Sequence, residues 1–382
     1  MGFSMTSATG AVKTGDICKK AGTVTIVKGY KYTCIAQGKK KIWSKGVKVL
    51  SPSAVQPTPS PSSTPSPAPV LTLAQQWRAT GSRALEGLDL AFPIKGAQFP
   101  ELQTIWRISE SVDPLISAEI QSQYKENIAF WSAYTKHEGV LQIIVGTLDD
   151  IDFVCKWRSE YLSMSDFGCR TGFRTDKSRT WDAHTTQLGS KATDFYFMTN
   201  PATLKQVDFL ARVPHEFFHN VQFAQMQRYK YVLPCWAEEA GAEYFGNLIG
   251  SKGDVASFLQ MRYRSISAPT GAIPQSQSTQ SDWKQWLLST DMNSLIDGQS
   301  GWGCQSVQME GIYHYGLLAT EYLTIKLGIS GLLTLYKDAG SIGWEKAIEK
   351  SFNKSKSEAY DEIAQYMSQE YRITMAQKIV RR

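Results

Sequence analysis

Residues 213–223 read Val-Pro-His-Glu-Phe-Phe-His-Asn-Val-Gln-Phe. On a helix, positions i and i+4 share a face, so His215 and His219 can turn two imidazoles toward one cation. Zn2+ accepts nitrogen donors of this kind, and Glu216, one residue on, falls where a carboxylate can take a proton from water beside the metal. His-Glu-x-x-His is thus the spacing a zinc hydrolase needs. A catalytic zinc takes three protein ligands and keeps a fourth position for water or substrate, so the histidine pair calls for one more carboxylate or imidazole.

About twenty residues downstream, Trp236-Ala-Glu-Glu-Ala-Gly-Ala-Glu-Tyr-Phe245 has the pattern of a second helix and offers Glu238 and Glu239. Here the chain resembles the gluzincin metallopeptidases, whose glutamate helix often reads Trp-Leu-x-Glu-Gly-x-Ala-x-Tyr-Phe. Trp236, Glu239, Ala242, Tyr244 and Phe245 fall in register. Ala240 departs from the pattern where the family usually has glycine, with Gly241 following, and this keeps Glu238 open as a rival ligand. The resemblance implies Zn2+ held by His215, His219 and Glu239, Glu216 as general base, and a peptide or protein as substrate. Residues 311–327 form an apolar-periodic helix in which Tyr313 stands three residues before Gly316. Aminopeptidase-like gluzincins place a tyrosine at that offset, where its hydroxyl donates to the oxyanion of the scissile carbonyl. Tyr313 is therefore the second catalytic candidate; it also reads as a buried helix aromatic, and His314 and Tyr315 are the alternative donors. The stretches 343–352 and 358–366 resemble the helical tail of these enzymes. Upstream there is no clear Gly-x-Met-Glu-Asn-like signature, so endo- and exopeptidase action are not separated.

The elements that must position these residues read as α+β. Residues from Ala74 to about Tyr134 look helical, most clearly Asp113 to Trp131. Strand-like runs follow at Val140–Val145 and Asp194–Met198, giving a small sheet subdomain ahead of the motif and helices after it. Gluzincins align the peptide substrate on an edge strand, and Asp194–Met198 is the candidate for that edge. The polar, glycine-bearing stretch 168–181 reads as a surface loop near the cleft, and His137 and His184 as exposed histidines. Pro214 is unusual inside a helix: either the metal helix begins near Val213, or a longer helix from Leu204 kinks there.

Ahead of this domain (71–382) lie a linker and a small module. Residues 51–70 hold seven of the chain's 15 prolines and no charge, an extended polyproline-like spacer open to O-glycosylation. Residues 1–50 carry ten lysines against one acid, Asp16. The module is therefore at +9, while the other residues carry thirty-one basic against thirty-four acidic side chains. It is too small to hold a core by apolar burial alone, so Cys18 and Cys34 read as its disulfide staple. It loosely resembles the short Cys-Lys-x-x-Gly … Tyr-x-Cys … Trp modules of secreted actinobacterial proteins. Its lysines suit an anionic cell-wall polymer; no nucleic-acid motif surrounds its aromatics.

The six cysteines divide evenly about the linker and contain no Cys-x-x-Cys, so structural disulfides are expected. Cys155 with Cys169 and Cys235 with Cys304 are the remaining pairs. An extracellular or cell-surface location follows, although Met1 to Gly15 shows no signal-peptide stretch. No membrane span is expected, because Glu321 and Lys326 interrupt the longest apolar helix. The sequence thus reads as a secreted, monomeric zinc metallopeptidase. The alternative is a non-catalytic surface-binding protein on a degenerate peptidase domain, and hydrolysis of a non-peptide amide or ester is a further reading of the same site.

Overall fold

The computed structural model describes residues 13–28, 30–38, 40–48, 102–136, 139–163, 169, 181–188, 191–198, 207–226, 233–267, 279–291 and 310–377. The chain divides into two compact units, Met1–Pro69 and Val70–Arg382. In the first, β1 (Val24–Val27), β2 (Tyr30–Gln37), β3 (Lys40–Trp43) and β4 (Val47–Lys48) form an antiparallel sheet. β1 pairs along one side of β2, and β3 and β4 along the other. The Cys18–Cys34 disulfide is formed, with both cysteines buried.

The second unit begins, among the described residues, with β5 (Leu102–Ile108). It pairs in parallel with β6 (Gly139–Gly146), and α1 (Pro114–Trp131) makes the crossover that a parallel pair needs. Asp113 caps α1 by accepting from the Leu115 N–H, with Pro114 in the first turn. β6 is a nearly unbroken apolar run, buried from Leu141 to Gly146, as expected of a strand covered on both faces. α2 (Ile151–Leu162) follows and is tied back by the Cys155–Cys169 disulfide. β7 (Trp181–Leu188) and β8 (Lys191–Met198) then form a hairpin, and the sheet order is β5-β6-β8-β7.

Three expectations change here. Residues 102–108, read as helix, are strand: Leu-Gln-Thr-Ile-Trp-Arg-Ile is β-branched and aromatic, and its backbone groups pair with β6. Asp194–Met198 is not an edge, because β8 is hydrogen-bonded to β6 on one side and to β7 along its full length on the other. Among the described strands, β7, read in part as loop and exposed polar segment, is the outer neighbour of β8, and β5 stands at the other end of the sheet. His137, residues 74–101, most of 168–181 and Cys304 lie outside the described residues; Cys235 is disulfide-bonded.

Helices follow: α3 (Val207–Gln225), α4 (Cys235–Gly250), α5 (Val255–Ser267), α6 (Gln280–Ser289), α7 (Glu310–Ile342), α8 (Trp344–Phe352) and α9 (Lys356–Met375). The sequence marks several ends. Thr279 with Asp282 and Ser355 with Glu358 form reciprocal capping boxes at α6 and α9. Pro214 lies inside α3, so the metal helix starts well before it. Proline brings no N–H for the Leu210 carbonyl four residues back, and that oxygen faces Gly250 of α4. Glu321, the charge inside apolar α7, is met by Arg262 of α5: Nη2 lies 2.8 Å from Oε1, with both side chains fully buried. Arg262 also donates to Thr374 of α9 at 2.7 Å, tying three helices together. No described helix is long and apolar enough to cross a membrane.

Candidate metal centre

The centre is built on α3, and the two residues between its histidines hold that helix in rotation. Phe217 and Phe218 are fully buried. The Phe218 ring sits 5.0 Å from Trp131 of α1 and 4.5 Å from Phe245 of α4, and Phe217 sits 5.8 Å from Tyr124. With these rings anchored, the 3.6-residue repeat leaves His215 and His219 on a shared face toward α4 and α7. α4 is fixed in turn at its start by Trp236, whose ring meets Trp344 and Tyr360 and whose Nε1 donates to Asp291 at 3.3 Å. At its other end α4 lies close on α3. A Cβ at Gly246 would stand 2.7 Å from the Ala211 oxygen, and one at Gly250 2.6 Å from the Leu210 oxygen, so only glycine permits this approach.

That approach brings Glu239 to the histidines. Its Oε2 lies 3.7 Å from His215 Nε2 and 3.4 Å from His219 Nε2, and the ligand atoms of the three residues all fall within 4.8 Å of one another. Glu238 is not part of this group; burial and the adjacent Glu239 charge push its carboxyl up to about 7. The triad is electrostatically tight. Burial works against a charge on His219, but the Glu239 carboxylate holds it at about 9, and Glu239 itself stays well below the usual carboxylate range despite its burial because the two imidazoles face it.

Each ring has a polar side chain behind it, and both Nε2 atoms face Glu239. Gln222 donates through Nε2 to the carbonyls of Ala237 and Glu238, so its Oε1 must be the acceptor for His219 Nδ1 at 3.0 Å. His219 therefore keeps a proton on Nδ1, and Nε2 is the ring atom that faces Glu239. His215 Nδ1 lies 3.3 Å from Oε2 of Glu243, one turn beyond Glu239 on α4. Burial opposes ionisation of Glu243, but His215, the Arg212 charge and a 2.6 Å bond from the Ser265 hydroxyl hold its carboxyl down to about 2. A carboxylate behind a ligating imidazole fixes the ring and raises its basicity. Two imidazoles with one carboxylate, brought together in this way, could hold a metal ion.

Glu216 is buried beside this group and held from the sheet. Thr185 of β7 lies 3.0 Å from Glu216 Oε2 and 2.9 Å from Asp194 Oδ1 of β8. Arg212 Nη1 stands 3.9 Å from Glu216 Oε1. Asp194 is fully buried and also accepts from Asn220 at 3.0 Å and from Tyr124. Burial raises its carboxyl to about 7 against those hydrogen bonds, with the nearby Glu216 charge adding to the rise. Tyr313, in the first turn of α7, stacks on His215 with ring centroids 6.1 Å apart and planes 11° apart. Burial and the Glu239 carboxylate, to which it hydrogen-bonds, push its hydroxyl well above the ordinary phenol range, so it remains a donor at neutral pH. Gly316 serves packing: a Cβ there would stand 2.6 Å from Ala240 Cβ, so glycine lets α7 lie on α4 and brings Tyr313 over the site. Tyr315, the alternative donor, packs against Trp283 and Tyr371 in the core.

The structure thus brings His215, Glu216, His219, Glu239 and Tyr313 together. Gln222, Glu243, Thr185 and Asp194 complete the site without having been read from the sequence. Two of them left a signal: Glu243 is i+4 from Glu239 and Gln222 is i+3 from His219, the spacings at which a second residue on the same helix face supports the first. Comparison with known protein families, curated proteins and solved structures finds no match to this chain.

Proposed function

We propose that this chain is a secreted zinc-dependent hydrolase that cleaves peptide bonds, with His215, His219 and Glu239 as the zinc ligands. The observation that carries this reading is the convergence of both histidine Nε2 atoms on one Glu239 oxygen, with Gln222 and Glu243 behind the rings. Zinc in such a site supplies Lewis acidity, polarising a carbonyl and lowering the pKa of water. The protein supplies the remainder. Glu216, oriented by the Thr185 hydroxyl, takes a proton from the attacking water and returns it to the amine nitrogen as the C–N bond breaks. The Tyr313 hydroxyl donates to the carbonyl oxygen as charge gathers there. Thr185 also marks where an extended substrate would lie, because it belongs to β7, whose described strand partner is β8; a peptide backbone running along β7 would pass beside Glu216. The disulfides suit an oxidising, extracellular setting.

Metal analysis of the purified chain, combined with digestion of a peptide library, tests the reading. About one zinc per chain is expected. Glu216→Gln removes the proton acceptor and leaves all three ligands, so it should keep the metal and lose hydrolysis. Wild-type turnover in that variant would sink the mechanism, and absence of bound metal in the wild type would sink the ligand assignment.

A further inference from the structure

The small sheet of the first unit has an inverted surface. In an antiparallel sheet, residues directly opposite each other project from the same face, and alternate residues along a strand share it. The register places Val24 opposite Thr33, Ile26 opposite Lys31, Lys31 opposite Val47, Ile35 opposite Ile42, and Ile17 opposite Ile42. Ile17, Val24, Ile26, Ile35, Ile42 and Val47 therefore share one face. The other face carries Cys34 opposite Trp43 and Thr25 opposite Tyr32, around the buried disulfide. A sheet with one packed side normally turns polar residues outward. Here the outward face is aliphatic: Ile17 is 79% exposed, Val47 69% and Ile26 56%, with Val24 and Ile35 also exposed.

Charge decides what such a face suits. Lys31 and Lys40 lie on it, Lys28 stands in the turn that ends β1, and the acid of residues 1–50 is Asp16 alone. A soluble polyanion would be met by lysines and would leave six aliphatic side chains without a role. An uncharged apolar partner would leave the lysines without one. An anionic bilayer surface meets both: aliphatic side chains enter the acyl boundary while lysines extend along their stems to the headgroups. We infer that this face docks the chain on an anionic lipid surface. The inference is independent of the metal centre and its chemistry.

Sedimentation of the full chain with vesicles tests it. Vesicles containing phosphatidylglycerol should bind the chain, pure phosphatidylcholine vesicles should not, and raising salt from about 0.1 M to about 0.5 M should release it. Ile26→Ser with Val47→Ser should weaken binding about tenfold or more, since both aliphatic contacts are lost. Lys31→Glu with Lys40→Glu should do the same. Ile26→Leu with Val47→Leu, which keeps the apolar contact, should bind as the wild type. All three pairs of changes lie on the face away from Cys18–Cys34, and intact mass confirms that disulfide in each. Wild-type binding by the serine variant would overturn the inference and leave the lysines acting alone. Failure of the wild type to sediment with anionic vesicles would also overturn it, as would a dimer that the serine changes dissolve, which would assign the face to a second copy.

Discussion

His219 turns its Nε2 toward Glu239 because Gln222, with both amide hydrogens committed to α4 carbonyls, can only accept from Nδ1. Behind His215, Glu243 Oε2 stands 3.3 Å from Nδ1. Removing such a partner leaves the ligand in place but frees its ring. Glu243→Ala is therefore expected to lower zinc affinity about 10- to 100-fold, measured by competition with a chelator, with activity recovering at excess zinc. Glu238→Ala should leave affinity near wild type, because that carboxylate is outside the triad; the opposite ranking would show that the wrong glutamate has been named. Tyr313→Phe removes one hydroxyl and keeps the ring on His215. On the proposed mechanism its hydroxyl would act in the transition state, so kcat should fall by about 10²-fold with zinc content and KM little changed. A kcat equal to wild type would make Tyr313 a packing aromatic alone.

At the scale of elements, the site depends on how closely three helices approach. Gly246 and Gly250 let α4 lie on the α3 backbone, and Gly316 lets α7 lie on α4. Placing a side chain at Gly250 forces a Cβ against the Leu210 carbonyl, backbone that cannot swing aside. Gly250→Val should cost about 1–3 kcal/mol through overpacking, despite the better helix propensity of valine. In a unit of this size that lowers Tm by roughly 1–2 °C per kcal/mol. Since α4 also carries Glu239, zinc affinity should fall with stability, whereas an exposed substitution such as Lys337→Ala on α7 should move neither. Calorimetry with and without added zinc separates the two effects.

At the scale of the whole molecule, the excess basicity and the candidate metal centre lie in different units. Residues 1–50 hold the excess lysines, and every residue of the metal centre lies beyond residue 180. A fragment of residues 71–382 is expected to fold, keep its zinc and hydrolyse soluble peptides with the kcat/KM of the full chain. Loss of hydrolysis on removing residues 1–70 would mean that the module completes the active site.

Local spacing determined much of this protein in advance. The i, i+4 histidines, the adjacent Glu216 and the downstream glutamate helix are periodic features of single helices, legible because helix geometry converts sequence interval directly into direction in space. The Cys18–Cys34 and Cys155–Cys169 disulfides were legible for a similar reason, each closing a short loop between near neighbours. Only the tertiary structure decided what comes from distant segments. Whether Glu238 or Glu239 faces the histidines depends on the crossing of α4 over α3, which glycine contacts allow and no interval states. Thr185 and Asp194 reach Glu216 because hairpin β7–β8 docks beside α3, so their role is invisible in strands that read only as polar or apolar runs. Among the described strands, the order placed β8 inside the sheet between β6 and β7, since hydrogen-bond pairing between strands is a long-range choice that local propensity does not contain.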